Sequence, residues 1–197
     1  MNLPNKLTLL RILLTFVFMF FLFSQGLAAK ILALIIFSFA ALTDLFDGMI
    51  AKSRNLITNF GKIMDPIADK ILVLAAFLSF IQLQLIPAWP VVVIIARESI
   101  ITSLRLFALS KGIVIAASKG GKHKTVSQLV AIFIILLSLI LKEAAKKYFS
   151  LSAAYAEVIG SIVYAAMLST AVLTLISGIS YVWNNRHLFL GAKHAEK

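Results

Sequence analysis

Six stretches of the chain are apolar over about the 20 residues that a membrane-crossing helix requires: 7–24, 31–51, 62–84, 90–110, 125–144 and 152–183. Polar breaks separate them. Pro4-Asn5 ahead of Leu7-Thr8 reads as a helix start, and Ser53–Asn59 as a short hairpin. The uncharged segment Gln82–Trp89, followed by Pro90, reads as a turn with an interfacial aromatic. Lys111–Lys124 reads as a basic loop, and it runs into SKGGKHKT at 118–125. Pro66 fits the third stretch only in its early turns. The pattern predicts an all-α polytopic membrane protein with six transmembrane helices. No soluble domain fits in the remainder, so a single membrane domain is expected over 1–197.

The first stretch, followed by Gly-Leu-Ala-Ala at 26–29, also has the look of a signal peptide. Arg11 interrupts its apolar core, so the segment is read as a retained helix. Arg11 itself either reaches back to lipid headgroups or faces an anionic substrate. Trp89, Trp183 and the fifteen Phe are expected at lipid-facing or interfacial positions. The sixth stretch carries small residues at Gly160, Ser161, Ala165, Ala166, Ser169, Thr170 and Ala171. These let membrane helices approach closely, within one chain or between two.

Composition agrees with this class: 61% of residues are hydrophobic and the mean hydropathy is +0.99. There is no cysteine, which excludes disulfides. The net charge of +11 is unevenly spread. On the six-helix reading, one side holds Lys6, Arg11, Lys52, Arg54, Lys62, Lys111, Lys119, Lys122, Lys124, Arg186, Lys193 and Lys197; the other holds Lys30, Lys142, Lys146 and Lys147. The excess of cations on cytoplasmic loops in membrane proteins then puts both termini in the cytoplasm.

The acidic residues change the picture most. The chain has eight, and Asp44, Asp47, Asp65 and Asp69 fall within 43–70, between strongly apolar flanks. Carboxylates beside a membrane core are costly unless cations hold them. Asp44, Asp47, Gly48, Ala51 and Lys52 share one helical stripe, and Gly61, Asp65 and Asp69 another. A short hairpin sets the two stripes face to face at one membrane surface. Four converging carboxylates cannot all ionise without counter-charge. Oxygen-only ligands select hard divalent ions, Mg²⁺ or Mn²⁺, and two such ions assist displacement at phosphorus. The plainer alternative is an ion-pair network with Lys52, Arg54, Lys62 and Lys70.

The pattern D-x2-D-G-x2-A-K-x8-G-x3-D-x3-D at 44–69 resembles the signature of the CDP-alcohol phosphatidyltransferase family. Pro4–Arg11 and Arg97–Thr125 extend the resemblance, toward the bacterial phosphatidylglycerophosphate synthase branch. Lys52 stands where that family has Arg, and an ammonium lacks the bidentate fork of a guanidinium. The resemblance implies two divalent cations, Mg²⁺ or Mn²⁺, on Asp44, Asp47, Asp65 and Asp69, with Asp69 also the general base. It implies a CDP site formed by Asn5, Thr8, Asp44, Gly48, Lys52, Thr58, Gly61 and Asp65. The implied reaction joins CDP-diacylglycerol to sn-glycerol 3-phosphate, in the bacterial cytoplasmic membrane with the active site facing the cytoplasm. The family is typically homodimeric.

An acceptor that carries a phosphate needs further cations. Arg105, Lys122 and Lys124 are the expected ligands, with Arg97 and Lys119 in support; a solvated basic face is the alternative for 119–124. Arg97 is expected to pair with Glu98 or another buried partner. Other acceptors stay open at this point: inositol phosphate, serine or phosphatidylglycerol. So does a divalent cation transporter, although the chain shows no internal repeat and groups its carboxylates at one surface.

Overall fold

A computed structural model describes residues 3–54, 59–110, 113, 119–148 and 153–186; of these, 3–5, 44–54, 59–67, 69, 119–123 and 153 are described by their backbone alone. Six helices account for nearly all of it: α1 Leu3–Phe23, α2 Leu27–Arg54, α3 Asn59–Gln82, α4 Ala88–Ser110, α5 Lys119–Tyr148 and α6 Ala153–Asn184. No strand occurs among the described residues. Among the described residues, three helical segments are long and apolar enough to cross a membrane: Lys6–Phe23, Lys124–Tyr148 and Ala154–Asn184. The apolar parts of α2 and α3, Leu27–Thr43 and Lys70–Gln82, are shorter. Their remaining length carries the acidic stretch.

The helices run past the apolar stretches. α5 begins at Lys119, so the basic segment 119–124, expected as loop, forms its first turns. Once the apolar span has nucleated a helix, each added residue gains a hydrogen bond, which offsets the poor propensity of Gly120 and Gly121. Pro4 and Pro90 fall in the first turns of α1 and α4, where the missing N–H has no helical partner to lose.

Two compact units are formed, Met1–Leu85 with Ile132–Val163, and Ile86–Ala131 with Tyr164–Lys197. In the first, α1 packs on α2 and α3. On α1 and α2 the buried stripe alternates three- and four-residue steps, Thr8, Arg11, Thr15, Phe18 and Leu22 on α1 and Lys30, Ala33, Phe37 and Ala40 on α2; on α3 it runs in four-residue steps through Ala68, Leu72, Ala76 and Phe80, with Val73 and Phe77 beside it. Phe18 and Phe37 meet with ring centroids 5.4 Å apart, and Phe37 meets Phe133 edge-on at 5.5 Å. Phe18, Phe37, Phe77 and Phe80 are fully buried, which corrects the expectation that the phenylalanines face lipid. They fall on the inward stripes, whereas Phe16, Phe20 and Phe39, off those stripes, are exposed.

Lys30 also departs from expectation. It sits inside α2, buried, and its Nζ donates to the carbonyls of Leu22 (2.6 Å) and Ser24 (2.9 Å). A cation there satisfies carbonyls that the end of α1 leaves without helical partners. Gly26, at φ 94°, makes the tight reversal between the helices in a left-handed conformation open to glycine.

Candidate active site

The acidic stretch lies on the ends of α2 and α3 that face each other in sequence. Asp44, Asp47, Gly48, Ala51 and Lys52 fall in the unbroken helix α2, and Gly61, Asp65 and Asp69 in α3. Only four residues separate the helices, and the helices pack on each other. On α2 the buried stripe 30-33-37-40 continues, at the same spacing, through 44, 47 and 51. Asp44 and Asp47 therefore hold core-stripe positions. On α3, Asp69 precedes Leu72, Val73 and Ala76 by three, four and seven residues, and Asp65 precedes Ala68 by three and Leu72 by seven, so both stand at positions that continue the α3 stripe. Both acid pairs thus occupy inward register positions. The side chains of these four aspartates, of Asn5, Gly48, Lys52 and Gly61, and all of Thr58 lie outside the described residues.

Two described polar side chains of α1 belong to the same end of this unit. Thr8 is fully buried, and Arg11 is 1% exposed. Arg11 Nε reaches Thr43 Oγ1 at 3.5 Å, and Thr43 precedes Asp44. Thr15 Oγ1 donates to the Arg11 carbonyl at 2.9 Å, and Thr43 Oγ1 to the Ala40 carbonyl at 2.7 Å. Arg11 thus lies in the interior rather than reaching out to headgroups. The sequence signal was its place on the 8-11-15-18-22 stripe.

The second unit carries the basic residues. Arg97 donates through Nη1 to Glu98 Oε1 and through Nη2 to Ser177 Oγ on α6, each at 3.1 Å. Lys124, on the first turns of α5, pairs with the same Glu98 oxygen. Arg97 and Lys124 are both buried. Two cations converge on one carboxylate, so the cluster keeps one positive charge. Arg105 is exposed; its Nε donates to Tyr181 OH at 3.2 Å, with the guanidinium 5.5 Å from that ring's centroid. Ser177 and Tyr181 rise along α6 as Arg97 and Arg105 rise along α4, so the two helices share a direction. The structure joins Arg97 and Lys124 through Glu98, a residue the sequence marked only as a partner for Arg97. The side chains of Lys119 and Lys122 lie outside the described residues.

The donor chemistry near the acidic stretch suits hard divalent cations. It offers carboxylate oxygen on two packed helices, and no cysteine occurs anywhere in the chain. A sequence model of CDP-alcohol phosphatidyltransferase matches residues 1–183. A Bacillus subtilis protein named CDP-diacylglycerol–glycerol-3-phosphate 3-phosphatidyltransferase is 45% identical over 148 residues, 69% of this chain and 77% of the relative. A Mycobacterium tuberculosis protein named probable phosphatidylglycerophosphate synthase is 40% identical over 184 residues, 92% of this chain and 80% of the relative. A Rickettsia typhi protein with the same name as the Bacillus relative is 34% identical over 180 residues, 91% and 94% of the two chains. The acid pattern on α2 and α3 and these matches agree, and the chain belongs to the CDP-alcohol phosphatidyltransferase family.

Proposed function

We propose that this enzyme transfers the phosphatidyl group of CDP-diacylglycerol to sn-glycerol 3-phosphate, releasing phosphatidylglycerophosphate and CMP. What supports the reading is that both aspartate pairs fall at sequence positions that continue the buried stripes of two packed helices, in a chain whose relatives bear that activity in their names. Asp44, Asp47, Asp65 and Asp69 are the residues to hold two divalent cations, Mg²⁺ or Mn²⁺. Bound there, the ions neutralise diphosphate charge and polarise its oxygens.

Asn5, Thr8, Gly48, Lys52, Thr58 and Gly61, with Asp44 and Asp65, surround the CDP moiety. Asp69 accepts the proton of the acceptor's C1 hydroxyl, a transfer that requires hydrogen-bond reach. The freed oxygen attacks the β-phosphorus. The bond from that phosphorus to the oxygen of the CMP phosphate breaks, and CMP departs with the electron pair. Arg105, Lys122 and Lys124, with Arg97 and Lys119, take the acceptor's phosphate. The surplus positive charge of the Arg97–Glu98–Lys124 cluster supports that role.

The proposed setting is the bacterial cytoplasmic membrane, with six spans, both termini and the active site on the cytoplasmic side, one domain over 1–197, and a homodimer. The common direction of α4 and α6 supports alternate crossing, since helices two apart then run the same way. The charge asymmetry of the termini and of 119–124 supports the orientation. The test is CMP release from CDP-diacylglycerol against a radiolabelled acceptor panel. Glycerol 3-phosphate is expected to be the substrate; faster transfer to inositol phosphate, serine or phosphatidylglycerol overturns the assignment.

A further inference from the structure

Within the second unit a groove of about 540 Å³ runs between α4 and α6, in the range of pockets that enclose a small ligand. Its walls are Val93, Ile100 and Ile101 on α4 and Leu175, Ile179 and Val182 on α6. Ile100 and Ile179 are 53% and 66% exposed, so the groove opens to the surroundings of the helix pair. Along α6 the lining extends from Leu175 to Arg186, about 16 Å at 1.5 Å per residue. That is about half of a ~30 Å hydrocarbon core, the depth of one leaflet.

The groove has polar features at two levels. At the end of α6, the Arg186 guanidinium stacks over Trp183, 4.5 Å from the ring centroid. Trp beside Arg at a helix end marks the membrane–water interface. On the wall lies Arg97, 7% exposed, whose Nε has no hydrogen-bond partner among the described residues. Among the described residues no carboxylate lines the groove. Apolar walls one leaflet deep, a cation at the rim and a buried donor without an acceptor match one molecule type. A lipid supplies a chain for the walls, a phosphate for the rim and ester oxygens between them.

We propose that this groove is a binding site for an anionic phospholipid of the surrounding bilayer, with one acyl chain between α4 and α6 and its phosphate on Arg186. The site uses none of the aspartates and goes beyond the transfer reaction. The full-length protein is placed in phosphatidylcholine vesicles containing phosphatidylglycerol that bears a photoreactive diazirine on one acyl chain. Adducts are expected at Ile100 and Ile179, displaced by unlabelled phosphatidylglycerol. Arg186→Gln lowers the preference for the anionic probe over a diazirine phosphatidylcholine by about fivefold. Ile179→Trp, which fills the groove, removes the groove adducts while CMP release continues in the same vesicles, showing that the protein is folded. Labelling spread evenly along α6, equal capture of the neutral probe, or adducts joining two copies of the chain overturns the proposal. Labelling requires neither CDP-diacylglycerol nor glycerol 3-phosphate, so its failure leaves the transfer reading standing.

Discussion

Gly178 lies against the side chain of Arg97: a Cβ at that glycine would stand 2.9 Å from Arg97 Cγ and 3.7 Å from Nε. The absent methyl on α6 is what lets the Arg97 chain pass and reach Ser177 and Glu98. Cγ is close to the α4 backbone and has little freedom to move aside. Gly178→Ala is therefore expected to displace Arg97 and to destabilise the protein by about 1–3 kcal/mol, the usual cost of overpacking. The thermal midpoint in detergent should fall. The KM for glycerol 3-phosphate should rise while that for CDP-diacylglycerol stays. An unchanged acceptor KM would remove Arg97 from the acceptor site.

Glu98 accepts from Arg97 and pairs with Lys124. Glu98→Gln keeps the shape and removes the charge, leaving two cations facing each other. Breaking a buried ion pair by losing one partner typically costs about 3–5 kcal/mol; Glu98 is 22% exposed, so the lower end is expected. Lys124→Gln leaves Arg97 and Glu98 still matched and should cost less. Denaturant midpoints of the two variants give the comparison, and equal losses would contradict the shared-carboxylate arrangement.

Asp69→Asn removes the proposed base while keeping size and hydrogen-bonding capacity. Transfer should drop by about 10²–10⁴-fold, the usual contribution of a positioned base, with the helical circular dichroism spectrum unchanged. Full activity would withdraw the base assignment.

Removal of divalent ions with a chelator should abolish CMP release, and Mg²⁺ or Mn²⁺ should restore it. Asp44→Asn and Asp47→Asn should each raise the Mg²⁺ concentration needed for half-maximal rate. Activity that persists in excess chelator would refute the cation reading of the four aspartates.

Lys30→Met keeps the buried aliphatic stem and deletes the ammonium that holds the Leu22 and Ser24 carbonyls. The buried Leu22 carbonyl and the half-buried Ser24 carbonyl lose their donor, at about 1–3 kcal/mol for an unsatisfied buried group. The thermal midpoint should drop with little effect on either KM, because the contact closes the α1–α2 turn and touches no proposed ligand.

The sequence by itself determined the helical class, the family and the helical register of the carboxylates. The spacing of Asp44, Asp47, Asp65 and Asp69 is a property of single helices, and the 3.6-residue period makes it legible wherever the helix packs. Tertiary structure alone decided what each cation does. Arg97 meets Ser177 from 80 positions away, and Lys124 shares Glu98 with it on a helix α5 that already starts at Lys119, five residues before the end of the expected basic loop. Lys30 became a cap, and four of the phenylalanines became core, through stripes that close only when α1, α2 and α3 pack together. The small residues of α6 divide in the same way: Gly160, Ser161, Ala165 and Ser169 are exposed, whereas Thr170, Ala171 and Gly178 are buried. A helix's own period fixes which residues share a stripe, but the neighbour that covers each stripe is set by contacts between distant segments, which no local pattern encodes.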